Sequence, residues 1–399
     1  MLYTPGKTEI TPSEVGYDEG RIETLNNHFQ SIIDDGKIQC AMYCLTRHGK
    51  VFAHGAVGKK SYRADDNTPA SPDNVRWYAS ITKVMTATAI MKLVEDGHIQ
   101  LNTNVAEILP QFDTPPFNFI NLLHLLTHTS GLHADGGCFP NKYQHSYWSL
   151  ISAMFDRHDK EKDGEFDWIT AALSTIGSGV RTKPGEEWAY CSFGFMILGA
   201  VIEKLTGLHS HDYIMQNIIS PLGMKDTCFD ITPDLARRMI VDNERSEKWI
   251  NDMINGTTTP DKWDKLKLPG TSGALNGTAY DLTRFGNMFL NGGNLDGVRI
   301  LGRKTVEKMT SKQIHDLPSY TWGANGTLRS ACAGFELRTD QPFIVSPSTF
   351  SHEGAGAASL YIDPEEDMVA AWIVPYTDHR EWISKALFNA LNVIWSGLK

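Results

Sequence analysis

Residues 38–57 read IQCAMYCLTRHGKVFAHGAV, and the fold is read outward from this stretch. Two β-rich runs flank the polar turn Arg47-His48-Gly49-Lys50, the pattern of an antiparallel hairpin. The pattern returns near the far end of the chain, where residues 357–363 and 368–375 flank the turn Asp363-Pro364-Glu365-Glu366-Asp367. Just outside the two hairpins, residues 18–33 place Ile22, Leu25, Phe29 and Ile32 at helical spacing, and residues 382–395 do the same. The interior differs: residues 80–97, 121–126, 193–206, 212–219 and 278–290 read as helices joined by loops. The expected fold class is α+β, an antiparallel sheet flanked by terminal helices with a mainly α-helical region inserted. The implied division is a discontinuous sheet domain, 1–79 and 291–399, and a helical region, 80–290.

Composition narrows the function. A length of 399 residues suits two to three domains, or one large domain with an insertion. Hydrophobic residues are 41%, and 34 Gly with 18 Pro fall well below the ~25–30% of low-complexity chains. Disorder, collagen and coiled coil are excluded. The 37 basic residues face 47 acidic ones, a net charge of −10 with no Lys/Arg block, so the electrostatic footprint of a nucleic-acid binder is missing. The opening MLYTPGKTEITPSE lacks the apolar core of a signal peptide, and no apolar run approaches the ~18 residues of a membrane span. A soluble, cytoplasmic protein with neither nucleic-acid nor membrane partner is expected. Six cysteines show no metal-ligand spacing. Cys40 and Cys44 share a strand, about 13 Å apart at ~3.3 Å per residue, too far for a disulfide. They read as buried, reduced thiols.

Three segments could carry chemistry. Ser80-Ile81-Thr82-Lys83 sits where a β-like run, residues 75–79, meets a helix. Residues three apart share a helix face, so the lysine amine can reach the serine hydroxyl, and the free N–H groups of a helix start favour developing negative charge. Taken alone, the same residues read as an N-capping serine and a solvated lysine. Tyr190-Cys191-Ser192 precedes an apolar helical run, where Tyr190 alone would be a core tyrosine. Ser351-His352-Glu353-Gly354-Ala355-Gly356 precedes the strand at 357–363, and its glycines allow close backbone approach.

Together, Ser-x-x-Lys, then Tyr, then His-x-Gly resemble the serine β-lactamase and penicillin-binding-protein superfamily. The branch resembled contains class C β-lactamases, D-alanyl carboxy- and aminopeptidases and family VIII carboxylesterases. Leu125-Leu126-Thr127-His128-Thr129-Ser130-Gly131-Leu132, Pro221-Leu222-Gly223-Met224 and Gly273-Ala274-Leu275 support it in order and spacing. The resemblance implies that Ser80 is acylated, with Lys83 beside it and Tyr190 facing both. It further implies an oxyanion hole from the backbone N–H groups of Ser80 and Ala355, substrate contacts at Ser192, His352, Glu353 and Gly354, and no metal or organic cofactor. Two departures stand out. The family's Tyr-x-Asn is Tyr190-Cys191-Ser192 here, a hydroxyl in place of an amide, which turns the expectation away from β-lactams. Glu353 stands where small polar residues are common; it either borders the pocket and repels a substrate carboxylate or points into solvent.

The expected function is hydrolysis of a small ester or amide through an acyl-Ser80 intermediate, carboxylesterase-like. A β-lactamase or D-amino-acid peptidase is the alternative, and a catalytically silent binding protein is a third reading, opposed by Ser80, Lys83 and Tyr190 occurring together. Lysine and tyrosine have reference pKa values near 10.4 and 10, so one must be lowered to serve as base; the sequence leaves both open. The remaining features are bland. Gly6-Lys7-Thr8 lacks the upstream glycine of a phosphate loop, and His124 and His128, four apart, read as structural. Asn255, Asn276 and Asn325, each followed by Gly-Thr, read as turns. The polar stretches 133–167 and 231–268, with Tyr143, Tyr147, Trp148, Trp249 and Trp263 and with Trp168 just beyond the first, read as lids or binding loops.

Overall fold

The turn at the centre of the first hairpin is made by His48 and Gly49, both left-handed at φ 54° and 69°, the backbone a two-residue hairpin favours. In the computed structural model they join β2 (Cys40–Arg47) to β3 (Lys50–Gly58), preceded by β1 (Tyr3–Pro5). The described residues are 1–132, 134–135, 147–158, 166–176, 180–259, 266, 268–319, 326–337, 343–355, 358–375 and 383–399. The later strands are β4 (Arg76–Trp77), β5 (Asn276–Gly277), β6 (Asn294–Leu295), β7 (Val298–Arg299), β8 (Ile314–Ser319), β9 (Thr327–Ala331), β10 (Glu336–Leu337), β11 (Phe350–Gly354), β12 (Ala358–Asp363) and β13 (Met368–Ile373). Nine form one sheet in the order β1-β3-β2-β13-β12-β11-β10-β9-β8. Strand β13 runs antiparallel to β2, Ile373 opposite Met42, so the two ends of the chain share one sheet.

Alternation along these strands gives the sheet two buried faces. Tyr43, Leu45, Tyr361, Ala370 and Trp372 face one way and pack with Leu25 and Phe29 of the Gly20–Asp34 helix and with Ile394 and Trp395 at the C-terminal end. Met42, Cys44, Leu360, Ile362 and Ala371 face the other way, into the core shared with the central helices. The Ala279–Leu290 helix lies against that second face. A Cβ on its Gly286 would come within 2.5 Å of Val369, so the missing side chain sets how closely helix and sheet approach.

Several elements depart from the sequence reading. Strands β1 and β8 to β10 were not anticipated. The stretch 231–268 is not all loop: Asn243 caps a helix over Glu244–Asn255, whose Ile250 packs on Val75 and Met239. The stretch 133–167 contains the helix Tyr147–His158, and Trp168 begins the helix Trp168–Ile176. Tyr143 and Trp263 lie outside the described residues. Asn276 is in β5 rather than in a turn, while Asn255 ends a helix before left-handed Gly256 (φ 68°); Asn325 is not among the described residues. Cys40 and Cys44 are free, buried thiols, and burial pushes the Cys44 thiol up to about 12. No described helix is long and apolar enough to cross a membrane.

Candidate active site

Ser80 is placed by the backbone on either side of it. Strand β4 pairs with β5, Trp77 opposite Asn276, and Tyr78 donates its backbone N–H to the Leu275 carbonyl at 2.8 Å. Ala79 then turns left-handed at φ 50°, an uncommon conformation for a residue with a Cβ. A 3₁₀ turn, Ala79–Ile81, leads directly into the helix Thr82–Glu95. Lys83, one turn on, reaches back so that its Nζ lies 3.0 Å from Ser80 Oγ and donates to the Ser272 carbonyl at 2.7 Å. Lys83 is fully buried, and loss of hydration lowers its amine to about 8, against a smaller opposing pull from the Asp135 charge.

Strand β11 closes one side. Gly354 lies so close to the Tyr78–Ala79 backbone that a Cβ would come within 2.0 Å of the Tyr78 carbonyl oxygen. Only glycine allows this approach, and Ala355 follows it immediately. His352 shares Gly354's side of the strand; its ring is 6.2 Å from that of Tyr190, and its Nδ1 lies 2.8 Å from the Glu353 carbonyl. Glu353 corrects the sequence reading. Its carboxylate neither borders a pocket beside His352 nor points into solvent: it accepts the Tyr361 hydroxyl, on the face covered by the terminal helices.

Tyr190 is carried by a braced segment. Arg181 and Glu187 form a buried ion pair, and the backbone N–H groups of Gly185 and Ala189 donate to Thr129 and His128. The Tyr190 hydroxyl is hydrogen-bonded to Ser80, and Lys83 Nζ stands 4.9 Å from the centre of its ring. Burial, with a further contribution from the Asp135 charge, raises the Tyr190 phenol well above its ordinary value. The neighbouring cation does not lower it. Of the two candidate bases, Lys83 is the one moved toward neutral pH.

The structure thus brings Ser80, Lys83, Tyr190, His352 and Gly354 together, and turns Glu353 away. Ser192 is buried, with its hydroxyl donated to Asp135 Oδ2 at 2.6 Å and its backbone N–H to Asp135 Oδ1 at 2.7 Å. Two participants, Asp135 and Ser272, were not found from sequence, and a third, His128, was read only as a structural histidine. Asp135 has no motif of its own, and Ser272 enters only through its carbonyl. His128 stacks on Tyr190 at 4.3 Å and accepts the Cys191 N–H at Nδ1, while burial and then the Lys83 charge drive its imidazole well below the usual range. His124 closes a capping box with Asn121, as a structural histidine does.

Comparison with known proteins identifies the family and the fold. Curated relatives from Salmonella heidelberg (strain SL476) and Salmonella typhimurium bear the name "Putative D-alanyl-D-alanine carboxypeptidase"; each is 25% identical, across 91% of this chain and 84% of its own length. A family VIII carboxylesterase crystal structure superposes with a TM-score of 0.69 at 18% identity, covering 98% of this chain and all of that one. A penicillin-binding-protein homologue from Caulobacter crescentus gives a TM-score of 0.67 at 18% identity, over 93% of this chain and 94% of its own. These two structures share the fold. The beta-lactamase family model matches residues 25–385, and the chain belongs to the beta-lactamase family.

Proposed function

We propose that this protein is a serine hydrolase that cleaves small esters through an acyl-Ser80 intermediate, with the active site at the junction of a sheet unit (1–79 and 291–399) and a helical region (80–290). One observation carries the reading: a fully buried amine, lowered to about 8, lies 3.0 Å from a serine hydroxyl that is also hydrogen-bonded to a phenol. At pH 7 about a tenth of such an amine is neutral. Its lone pair takes the Ser80 proton while an N–H still points to the Ser272 carbonyl. Ser80 Oγ attacks the ester carbonyl carbon, and the oxyanion is received by the backbone N–H groups of Ser80 and Ala355.

Collapse needs a proton on the departing oxygen. Tyr190, kept as neutral phenol by its burial, passes one to the alcohol and is replenished from the Lys83 ammonium. In the second half, water attacks the acyl carbon and gives its proton to the Lys83–Tyr190 pair, which returns one to Ser80 Oγ as the acid leaves. The chemistry requires neither metal nor organic cofactor. A second reading, cleavage of a D-amino-acid amide or peptide, is favoured by the name of the Salmonella relatives. A panel of short p-nitrophenyl esters, D-alanyl amides and nitrocefin separates the readings. The ester reading expects the highest kcat/KM on the esters, and turnover confined to the amides would replace it with the peptidase reading.

A further inference from the structure

The Lys83 amine donates to a main-chain carbonyl, so whatever holds that carbonyl in place acts on the base. Ser272 closes a 3₁₀ turn, Gly270–Ser272, in which the Gly270 carbonyl accepts the N–H groups of Gly273 and Ala274 at 3.1 and 2.9 Å. The Gly270 N–H at the head of the turn is donated to a side chain, His211 Nε2, at 2.8 Å. Glycine is needed there: a Cβ on residue 270 would stand 2.8 Å from that same nitrogen and 2.6 Å from the Ala274 Cβ. The His211 ring is itself fixed. It lies flat on the Phe229 ring, with centres 3.8 Å apart, and Phe229 follows Cys228, whose backbone pairs with Asn276 beyond the turn. Its neighbour Ser210 is buried and donates both its N–H and its hydroxyl to Glu203 of the helix Ser192–Thr206. Burial, with a smaller push from His209, lowers the His211 imidazole to about 3, so at neutral pH the ring keeps a lone pair with which to accept.

We propose that His211 is a positioning residue for acyl transfer: by taking the Gly270 N–H it holds the turn so that the Ser272 carbonyl stays on Lys83 Nζ and the amine stays aimed at Ser80 Oγ. The inference rests on the reading of Lys83 as the base that generates acyl-Ser80. The competing view is that the turn needs no histidine, because Thr271 is already held twice. Its carbonyl takes the Thr86 hydroxyl at 2.7 Å, and its own hydroxyl is donated to the Phe195 carbonyl at 2.8 Å. His211 is then only a ring packed on Phe229. Two substitutions separate the views. Phenylalanine keeps a ring on Phe229 and loses the acceptor, whereas glutamine gives up the ring and keeps an acceptor on a side chain of similar reach.

The experiment measures melting temperature, plateau kcat and the acid midpoint of kcat/KM on p-nitrophenyl butanoate for the wild type, His211→Phe and His211→Gln. His211→Phe should lower kcat by about tenfold or more, the scale on which a misplacement of ~1 Å acts. Its midpoint should fall by about half a unit or more, because a displaced carbonyl no longer favours the Lys83 ammonium. His211→Gln should keep the wild-type midpoint and hold kcat within about threefold, since the Gly270 N–H still has an acceptor. A ring that only packs gives the opposite ranking, with activity following melting temperature and no shift of midpoint. That ranking, equal losses in the two variants, or an unmoved midpoint in a folded His211→Phe protein would each overturn the proposal. If His211→Phe does not fold, His211→Gln decides: wild-type kcat and midpoint support the acceptor role, and loss of either overturns it. Unchanged butanoate hydrolysis by Ser80→Ala or Lys83→Ala would instead remove the reading on which the proposal rests, whatever the ranking.

Discussion

Lys83 carries the argument at the residue scale, because burial does two things to it at once. It lowers the amine to about 8 and fixes the amine against Ser80. If neutral Lys83 is the base, activity needs the deprotonated form. Below about pH 8, kcat/KM for a neutral ester should fall toward tenfold per unit, and above it the profile should level until Tyr190 ionises. A profile flat from pH 6 to 9 would remove Lys83 from that role. Lys83→Ala and Tyr190→Phe should each lower kcat by roughly 10²-fold or more, in keeping with general acid–base groups. The double variant should lose less than the product of the two, since the groups act as a unit. Near-wild-type turnover in Tyr190→Phe would make it a core tyrosine.

Elements matter here through how closely they approach. Strand β11 reaches the Ser80 turn because Gly354 has no side chain. Gly354→Ala forces the strand off the Tyr78 carbonyl, and overpacking of this kind costs about 1–3 kcal/mol. A lowered melting temperature together with lost turnover is expected; an unchanged Ala variant would mean that strand and turn are not pressed together. The Ala279–Leu290 helix holds a different constraint. Its Asp281 is buried, accepts the Asp226 N–H and the Thr227 hydroxyl, and is raised to about 6, chiefly by burial. The folded state then binds this proton more tightly than the unfolded chain, so its contribution to stability falls as pH rises from about 4 to 6. Asp281→Asn keeps an acceptor for both donors and removes the charge. Urea unfolding should show its stability relative to wild type rising across that window by on the order of 2 kcal/mol, and a constant difference would contradict the buried-carboxylate reading.

At the scale of the whole molecule, what the sequence made legible followed local periodicity. The hairpins could be read because side chains alternate and His48-Gly49 suits a tight turn, and Ser80 with Lys83 because three residues make nearly one helical turn. Strands β8 to β10 were missed because their residues are mostly polar or part-exposed, and the Glu244–Asn255 helix because only Ile250 is buried. Asp135 was invisible because its partner Ser192 lies 57 residues away. Glu353 was within reach of sequence reasoning: period-2 alternation already puts it on the opposite face from His352 and Gly354. The central claim is that the fold exists to make Ser80 nucleophilic, and covalent trapping tests it most directly. After exposure to a fluorophosphonate, intact-protein mass should rise by one adduct, peptide mapping should place it on Ser80, and Ser80→Ala should take up none and lose esterase turnover. An adduct elsewhere, or a Ser80→Ala protein that labels and turns over like wild type, would contradict the account.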